Sequence, residues 1–184
     1  MTMSYNTDTY TGPSFSLRNR ISRVLWNIVY LLFFRYSPRP FHIWRAFLLR
    51  LFGAKIGRGV HVYPRAKIWA PWMVKIGDES GVADDVTLYS QAPINIGNRV
   101  VISQGTYVCT GTHDYMKRGF PLVALPIIIE DYAWVATQVF IHPGVTIGEG
   151  SVVGARSVVT KDTGRWMVCS GFPCKPIKER VMLE

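Results

Sequence analysis

The feature of this chain that most constrains its fold is a repeat with a period of six residues. Aliphatic residues recur at six-residue steps in five sets of three: Ile56/Val62/Ile68, Ile76/Val82/Leu88, Ile96/Ile102/Val108, Ile129/Val135/Ile141 and Ile147/Val153/Val159. An α-helix repeats every 3.6 residues and a β-strand alternates every two, so neither explains this period. A hexapeptide period is typical of a parallel β-helix, in which three hexads complete one coil. The repeat therefore predicts about five stacked coils with the aliphatic residues inside.

Interruptions of the repeat indicate where the chain leaves the regular coil. The steps from Ile56 to Ile76 and from Ile76 to Ile96 each span 20 residues, two more than three hexads. Residues 71–72 and 91–93 carry the excess and are expected to form bulged corners. Val108 and Ile129 are 21 residues apart, where a continuous repeat requires six. About fifteen extra residues, roughly 111–126, must form an extruded loop, which is where repeat proteins usually carry a binding or catalytic site.

Length and composition are those of one domain with a modest extension. The chain has 184 residues, of which 48% are hydrophobic, and this is ample for a single core. The three cysteines, Cys109, Cys169 and Cys174, form neither an even disulfide framework nor a metal-binding spacing, so a reducing, cytoplasmic compartment is expected. Residues 1–16 are polar and lack a basic segment followed by an apolar stretch, so we expect no signal peptide.

The net charge of +9 is concentrated near the N-terminus, where residues 1–52 contain seven Arg and one Asp. An apolar segment at 24–34 is followed by Pro38 and Pro40 and then by an amphipathic helix at about 41–52. The apolar segment is shorter than the ~20 residues that span a bilayer. Two alternatives remain open for this arm. It caps the end of the coil or packs on a partner, or it contacts an anionic membrane surface.

A run of polar residues, Cys109–Asp114, stands where the repeat gives way to the loop. His113 in this run is a candidate general base, because the pKa of imidazole lies near neutral pH. The other histidines, His42, His61 and His142, fall in the arm or at outward coil positions and have ordinary structural explanations. Cys109 has no partner in an evident nucleophile–base pair, and we interpret it as a small coil residue.

The repeat, the loop histidine and the ending at 147–162, IGEGSVVGARSVVTKD, together resemble the left-handed β-helix acyltransferases, in particular the maltose, galactoside and nodulation-factor acetyltransferase branch. Residues 44–57, with Ile102–Gln104 and Cys109–Asp114, are similar to acetyltransferases of colanic-acid and related exopolysaccharide clusters. The resemblance extends from about residue 20 to the C-terminus. It implies an all-β fold: a left-handed parallel β-helix with an N-terminal helical extension and a short C-terminal helix.

The same resemblance implies roles for individual residues. His113 matches the catalytic base, and Asp85 aligns with a polar residue, usually Asn, that contacts the acceptor sugar. Contacts to acetyl-CoA are implied for seven positions: Trp134, Thr137, Ala155, Thr160, Lys161, Lys175 and Lys178. Trp134 would line the pantetheine groove, the N–H of Thr137 would face the thioester oxygen, and the lysines would lie near the phosphates. Each has a structural alternative: coil packing for Trp134, a turn for Asp85 and a solvated basic tail for the lysines.

The implied function is acetyl-CoA-dependent O-acetylation of a sugar hydroxyl in exopolysaccharide or other cell-surface glycan biosynthesis, by direct transfer and without a metal. The acceptor would be a sugar, a sugar nucleotide or a lipid-linked glycan, and no nucleic acid is expected. The relatives are trimers, which implies a homotrimer in which His113 of one subunit faces Trp134 and Lys161 across an interface. The alternatives are an N-acetyltransferase of an amino sugar, a non-catalytic scaffold, and a zinc lyase, for which the loop lacks a second histidine.

These inferences divide the chain into a flexible N-terminus, a helical arm, a β-helix with an extruded loop, and a C-terminal extension, at residues 1–20, 21–53, 54–164 (loop at about 111–126) and 165–184. A cytoplasmic location follows, with peripheral contact to the cytoplasmic face of the inner membrane as the open point.

Overall fold

A parallel β-helix makes up most of the computed structural model, which describes residues 3–4 and 10–182. Its strands form three faces, which we number in the order the chain visits them. Face 1 contains β2 (Lys55–Ile56), β5 (Val74–Ile76), β8 (Ile94–Ile96), β13 (Ile127–Ile129) and β16 (Thr146–Ile147). Face 2 contains β3 (His61–Val62), β6 (Gly81–Val82), β9 (Val101–Ile102), β14 (Trp134–Val135), β17 (Val152–Val153), β19 (Met167–Gly171) and β20 (Cys174–Glu179). Face 3 contains β4 (Lys67–Ile68), β7 (Thr87–Tyr89), β10 (Tyr107–Cys109), β15 (Phe140–Ile141) and β18 (Val158–Val159).

The predicted hexad repeat is confirmed by the register of these strands. On face 1, Ile56 pairs with Ile76, Ile76 with Ile96, Ile96 with Ile129, and Ile129 with Ile147. The repeat residues of faces 2 and 3 pair in the same way. All of them are buried except Ile56, which is partly buried. Five coils are complete, and β19 adds a sixth strand to face 2 alone.

Polar groups at the corner between faces 1 and 2 tie each coil to the next. The side-chain oxygen of Asp78 accepts from the N–H of Arg58, that of Asn98 from the N–H of Asp78, and that of Asp131 from the N–H of Asn98, each at 2.8 Å. Each bond satisfies a backbone N–H that a turning strand leaves unpaired. The ladder leaves no room for a side chain beside it, since a Cβ at Gly77 would come within 2.6 Å of the Gly97 carbonyl.

The N-terminal arm consists of α1 (Leu17–Val29), a π-helical turn (Tyr30–Phe34) and α2 (His42–Leu51). Its inner side covers the open end of the first coil. The indole of Trp26 is buried and donates a 2.6 Å hydrogen bond to the carbonyl of Ile68. Arg45, also fully buried, donates from Nε to the carbonyl of Val62 at 2.6 Å. The arm therefore caps the coil, which is the first of the two alternatives considered for it.

The first twenty residues, expected to be flexible, are partly ordered. Leu17 to Arg20 belong to α1, and β1 (Met3–Ser4) pairs with a strand of the extruded segment. Residues 1, 2 and 5–9 lie outside the described part of the chain, so the expectation for them is not addressed.

The extruded segment between β10 and β13 forms a hairpin of β11 (Gly111–His113) and β12 (Leu122–Ala124). β12 pairs antiparallel with both β11 and β1, giving a separate three-stranded sheet in the order β1-β12-β11. This sheet stands at the corner between faces 3 and 1.

The C-terminal extension corrects one expectation, because it forms no short helix within the described residues. β19 instead extends face 2 in parallel with β17, and β20 returns antiparallel along β19. The free edge of β19 carries backbone groups that β20 satisfies, and Pro176 is tolerated on such an edge strand whereas it would break a helix.

Candidate active site

His113 lies at the exposed end of β11, on the hairpin that leaves the coil. Its Nδ1 lies 2.6 Å from the carbonyl oxygen of Phe120, on the opposite side of the same hairpin. A carbonyl only accepts hydrogen bonds, so Nδ1 of the neutral ring must carry the proton. Nε2 is then left with a free lone pair. This is the tautomer that a general base needs.

The base of the hairpin fits closely against the coil. Gly111 lies against the side chain of Gln91, which is buried and donates from Nε2 to the hydroxyl of Tyr89 at 2.8 Å. A Cβ at Gly111 would collide with the Gln91 amide oxygen. Gly111 therefore lets β11, and with it His113, lie directly against the Gln91 amide group.

Cys109 lies beside this junction, with its Sγ 3.3 Å from the carbonyl of Gly111. Burial raises the pKa of the Cys109 thiol, and the hydrogen bond to Gly111 offsets this only in part. The protonated thiol is a poor nucleophile, which agrees with its interpretation as a coil residue.

A column of residues runs up the corner between faces 2 and 3. If the inward aliphatic residue is position one of a hexad, position three of successive coils is Asp84, Gln104, Thr137 and Ala155. Two of these, Thr137 and Ala155, are positions predicted to bind the coenzyme. Within the described part of the chain, the N–H groups of both donate no hydrogen bond, while the Thr137 hydroxyl donates to the carbonyl of Gln104 at 2.8 Å. The corner thus presents free backbone donors.

Trp134 lies on the outer side of face 2, next to this corner. The side chain is 46% exposed, so it does not serve as packing inside the coil. Its Nε1 donates to the hydroxyl of Ser103 on the coil below at 3.1 Å, which holds the indole against the face.

Asp85, the predicted acceptor-binding residue, has φ of +62° and pairs with the guanidinium of Arg65 at 2.9 Å. It occupies position four of its hexad, where the coil turns and where Gly105 and Gln138 also have positive φ. Its predecessor Asp84 occupies the column with Thr137, accepts from the N–H of Arg65 at 3.0 Å, and has a side chain only 14% exposed. The sequence interpretation missed Asp84. A signal was present, because glycine recurs at position four (Gly59, Gly105, Gly150) and marks it as the turn, so that Asp85 belongs to the turn and Asp84 precedes it.

Asp84 lines a cavity of about 510 Å³ on face 2. Other lining residues are Arg39 from the arm, Tyr63, Ala83 and Ser103. Ser103 also accepts the hydrogen bond from the indole of Trp134, so the tryptophan lies beside the cavity. Its volume is in the range of small-molecule sites.

The basic residues predicted to hold phosphates fall in two places. Lys175 and Lys178 are exposed on β20, at the end of face 2, in register with Ser170 and Val168. Thr160 and Lys161 are exposed just after β18, at the corner between faces 3 and 1.

The predicted site residues of one chain therefore form two groups, at opposite edges of face 3. One group, Asp85, Trp134, Thr137, Ala155, Lys175 and Lys178, lies on face 2 or its corner with face 3, and Asp84 lies beside it. The other, His113, Thr160 and Lys161, lies at the corner between faces 3 and 1. A face is one hexad wide, roughly 15–20 Å at the rise of a strand. Lys161 thus groups with His113, and not with Trp134 as the resemblance implied.

His, Cys, Asp and Glu side chains form no group of three or more that could hold a metal ion in the part of the chain that the structure describes.

Comparison with known proteins adds independent findings. The family model "Bacterial transferase hexapeptide (six repeats)" matches residues 126–161. The putative colanic acid biosynthesis acetyltransferase WcaF of Escherichia coli (strain K12) is 50% identical over 166 residues, which cover 90% of this chain and 91% of the relative. The galactoside O-acetyltransferase of the same strain is 32% identical over 138 residues, covering 73% and 68% of the two chains.

Among solved structures, a hexapeptide-repeat acetyltransferase of Vibrio cholerae, complexed with acetyl coenzyme A, matches with a TM-score of 0.84. That match is 29% identical and covers 92% of this chain and 93% of the other. Repeat, register and sequence identity agree, and this chain belongs to the hexapeptide-repeat acetyltransferase family.

Proposed function

We propose that this enzyme transfers the acetyl group of acetyl-CoA to a sugar hydroxyl in the biosynthesis of an exopolysaccharide or another cell-surface glycan, with His113 as general base. The observation that carries the proposal is the hydrogen bond between His113 Nδ1 and the Phe120 carbonyl, which leaves Nε2 free to accept a proton. The names of the relatives, a colanic acid acetyltransferase and a galactoside O-acetyltransferase, support the acceptor class.

In the proposed reaction, Nε2 of His113 takes the proton of the acceptor hydroxyl as its oxygen attacks the acetyl carbon. The Phe120 carbonyl holds the ring in place and stabilises the imidazolium that forms. His113 then returns the proton to the departing coenzyme sulfur, so no acyl-enzyme and no net proton change on the protein is required. The coenzyme supplies an activated thioester, and the base supplies the proton transfer, worth about 10²–10⁴-fold in rate.

Several features of face 2 and its corner with face 3 support a coenzyme groove along the corner column. The unpaired N–H of Thr137 would donate to the oxygen that becomes negative in the transition state, a contribution of about 3 kcal/mol. The exposed indole of Trp134 would pack against the pantetheine chain, and the N–H of Ala155 would bond it further along the groove. Lys175 and Lys178 at the end of face 2, with Lys161 from the other group, would face the phosphates.

We assign the acceptor contact to Asp84 in preference to Asp85. Asp84 lines the 510 Å³ cavity, lies in the same column as Thr137 and faces Arg39 and Arg65 only at 3.8 and 4.0 Å, whereas Asp85 forms a 2.9 Å ion pair with Arg65. A carboxylate only accepts hydrogen bonds, so it would bind sugar hydroxyls as donors.

We further propose a homotrimer in which the corner carrying His113 of one copy lies beside the corner carrying Thr137 of the next. The division of the site residues into two groups supports this, because a cyclic head-to-tail contact would bring the groups together. Exposed apolar residues of face 2, Val101 and Trp134, are available for such an interface. A lipid-linked acceptor would bring the trimer to the cytoplasmic face of the inner membrane.

The test is thiol release from acetyl-CoA with a panel of sugars, sugar nucleotides and glycan repeat units, comparing wild type with His113→Ala. We expect the acceptor-dependent rate of the variant to fall by about 10²-fold or more. The matched control is His142→Ala; the His142 ring packs on Phe140 and forms no hydrogen bond to a carbonyl group among the described residues. Wild-type rates in the His113 variant would overturn the general-base role.

The same assay separates O- from N-acetylation. Hydroxyl acceptors and the corresponding amino sugars are offered side by side, and the product is treated with mild base, which cleaves an ester and leaves an amide intact. An ester product supports the proposal. A base-stable product formed only from amino sugars would replace it with N-acetylation.

A further inference from the structure

The outer side of the N-terminal arm carries a large exposed apolar surface, which we call the apolar face. On α1 and the π-helical turn the exposed residues recur every three or four positions, so they line one side of the helix. α2 repeats this pattern on its own outer side. The apolar face comprises Leu17, Ile21, Val24, Leu25, Ile28, Leu31, Leu32, Phe33, Tyr36, Phe41, Ile43, Trp44, Phe47 and Leu51, each at least 39% exposed.

The two helices form one continuous surface. A groove of about 430 Å³ lies between the π-helical turn and α2, lined by Leu32, Phe33, Phe41 and Trp44 among others. The indole of Trp44 donates to the carbonyl of Phe33 at 3.0 Å and so ties the two segments together. A contiguous apolar surface of this kind on a folded protein marks an interaction site.

The charge around the apolar face has one sign. Residues 17–52, which form the arm, contain seven Arg and no Asp or Glu. Arg45 is buried and Arg23 stacks on Trp69, but Arg18, Arg20 and Arg35 are exposed and form no ion pair within the described residues. An apolar helical surface flanked by arginines has the chemistry of a helix that lies in the interface of an anionic membrane.

We infer that the apolar face docks this protein on an anionic lipid surface. A second copy of the same face is a poor occupant, because pairing it with itself would bring arginines together with no acidic residue to neutralise them. Docking would be peripheral, since no helix among residues 10–182 has the length and apolar character needed to cross a bilayer. The inner side of the arm caps the coil, and its outer side would contact lipid. Capping and membrane contact, raised above as alternatives, are therefore compatible, because they use opposite sides of the same helices.

This orientation has a consequence for access to the site. The arm covers the first coil, so docking would place that end of the β-helix next to the membrane. The cavity on face 2 is built from the first three coils and includes Arg39 of the arm. With the arm, about 10 Å thick, between coil and membrane and ~4.8 Å per coil, it would lie within about 25 Å of the docked surface. The docking inference itself does not rest on acetyl transfer.

The test is flotation of the purified full chain with vesicles of phosphatidylcholine containing phosphatidylglycerol, and with vesicles of phosphatidylcholine alone. We expect binding to the anionic vesicles only, weakened by salt. The double variant Leu32→Gln/Ile43→Gln should reduce the bound fraction by about tenfold or more, because it removes two exposed aliphatic side chains from the lipid contact. The matched control is Val181→Gln/Met182→Gln, two exposed apolar residues outside the face, which should bind as wild type does.

Circular dichroism and mass by light scattering accompany each variant. Failure of the wild type to float with anionic vesicles would overturn the inference. So would equal loss in the two double variants, or a change of oligomeric mass in Leu32→Gln/Ile43→Gln without a change in flotation, which would make the face a contact between proteins.

Discussion

At the scale of single residues, position within the hexad decides what a side chain can do. Position one faces inward, position four turns most corners with positive φ, and position three on the corner after face 2 is the column of Asp84, Thr137 and Ala155. Asp84 and Asp85 are chemically identical neighbours, yet they occupy positions three and four and have different surroundings. Both face Arg65, but the side chain of Asp84 is 14% exposed, lines the cavity and also lies 3.8 Å from Arg39, whereas that of Asp85 is 52% exposed and pairs with Arg65 at 2.9 Å.

A comparison of Asp84→Asn with Asp85→Asn tests this distinction. Asn keeps the side-chain volume and tolerates positive φ, so the fold is preserved in both. We expect Asp84→Asn to raise the KM for the acceptor by about tenfold, because a hydrogen bond to a charged group is worth about 1.5–3 kcal/mol. Asp85→Asn loses only an exposed ion pair of about 0–1 kcal/mol and should change KM little.

Steady-state kinetics with acceptor and acetyl-CoA varied in turn provides the measurement, and the KM for acetyl-CoA serves as internal control. The reverse ranking of the two variants would restore Asp85 as the acceptor residue.

At the scale of elements, the hairpin of β11 and β12 carries the general base outside the regular coil. The contacts that hold it include the pairing of β12 with β1 and the packing of Gly111 against Gln91. His113 is two residues from this glycine, so the position of the base depends on a contact that a single methyl group would disturb.

Gly111→Ala is therefore expected to lower kcat by about tenfold or more, because a displaced base loses its alignment with the acceptor hydroxyl. The matched control is Gly12→Ala, where a Cβ would meet nothing within 4 Å. Both variants are measured for kcat and for thermal midpoint. Equal kcat in the two proteins would mean that the hairpin tolerates the methyl group and that Gly111 does not set the position of His113.

At the scale of the whole molecule, the proposed base and the proposed coenzyme groove lie at different corners of the β-helix of one chain. His113 belongs to the corner between faces 3 and 1, and Trp134 and Thr137 belong to face 2 and its far corner. A cyclic assembly is the simplest arrangement that joins them, because every copy then offers one group to each neighbour.

Co-expression of His113→Ala with Trp134→Glu tests the assembly. Each variant alone should be nearly inactive. A mixed trimer regains a working site wherever His113 of a Trp134→Glu chain meets Trp134 of a His113→Ala chain, which happens at about a quarter of random contacts. Acetyl transfer near that fraction of the wild-type rate is the expected result, with the subunit composition verified through two different tags. A mixture as inactive as its parents would assign the complete site to one chain.

The sequence by itself determined the coil, its five hexad sets, the place where the chain leaves it and the family to which it belongs. It could do so because inward positions repeat with a local period, and a period can be read without knowing which coils touch. Only the tertiary structure decided that Asp84 lines the cavity, that Lys161 groups with His113, that the C-terminal extension is a hairpin, and that Nδ1 of His113 meets the carbonyl of Phe120. Each of these depends on which corner or edge of the coil a residue reaches and on which residues it meets there. Coil stacking and strand pairing decide both, through contacts between residues that are far apart in the chain or on opposite strands of a hairpin.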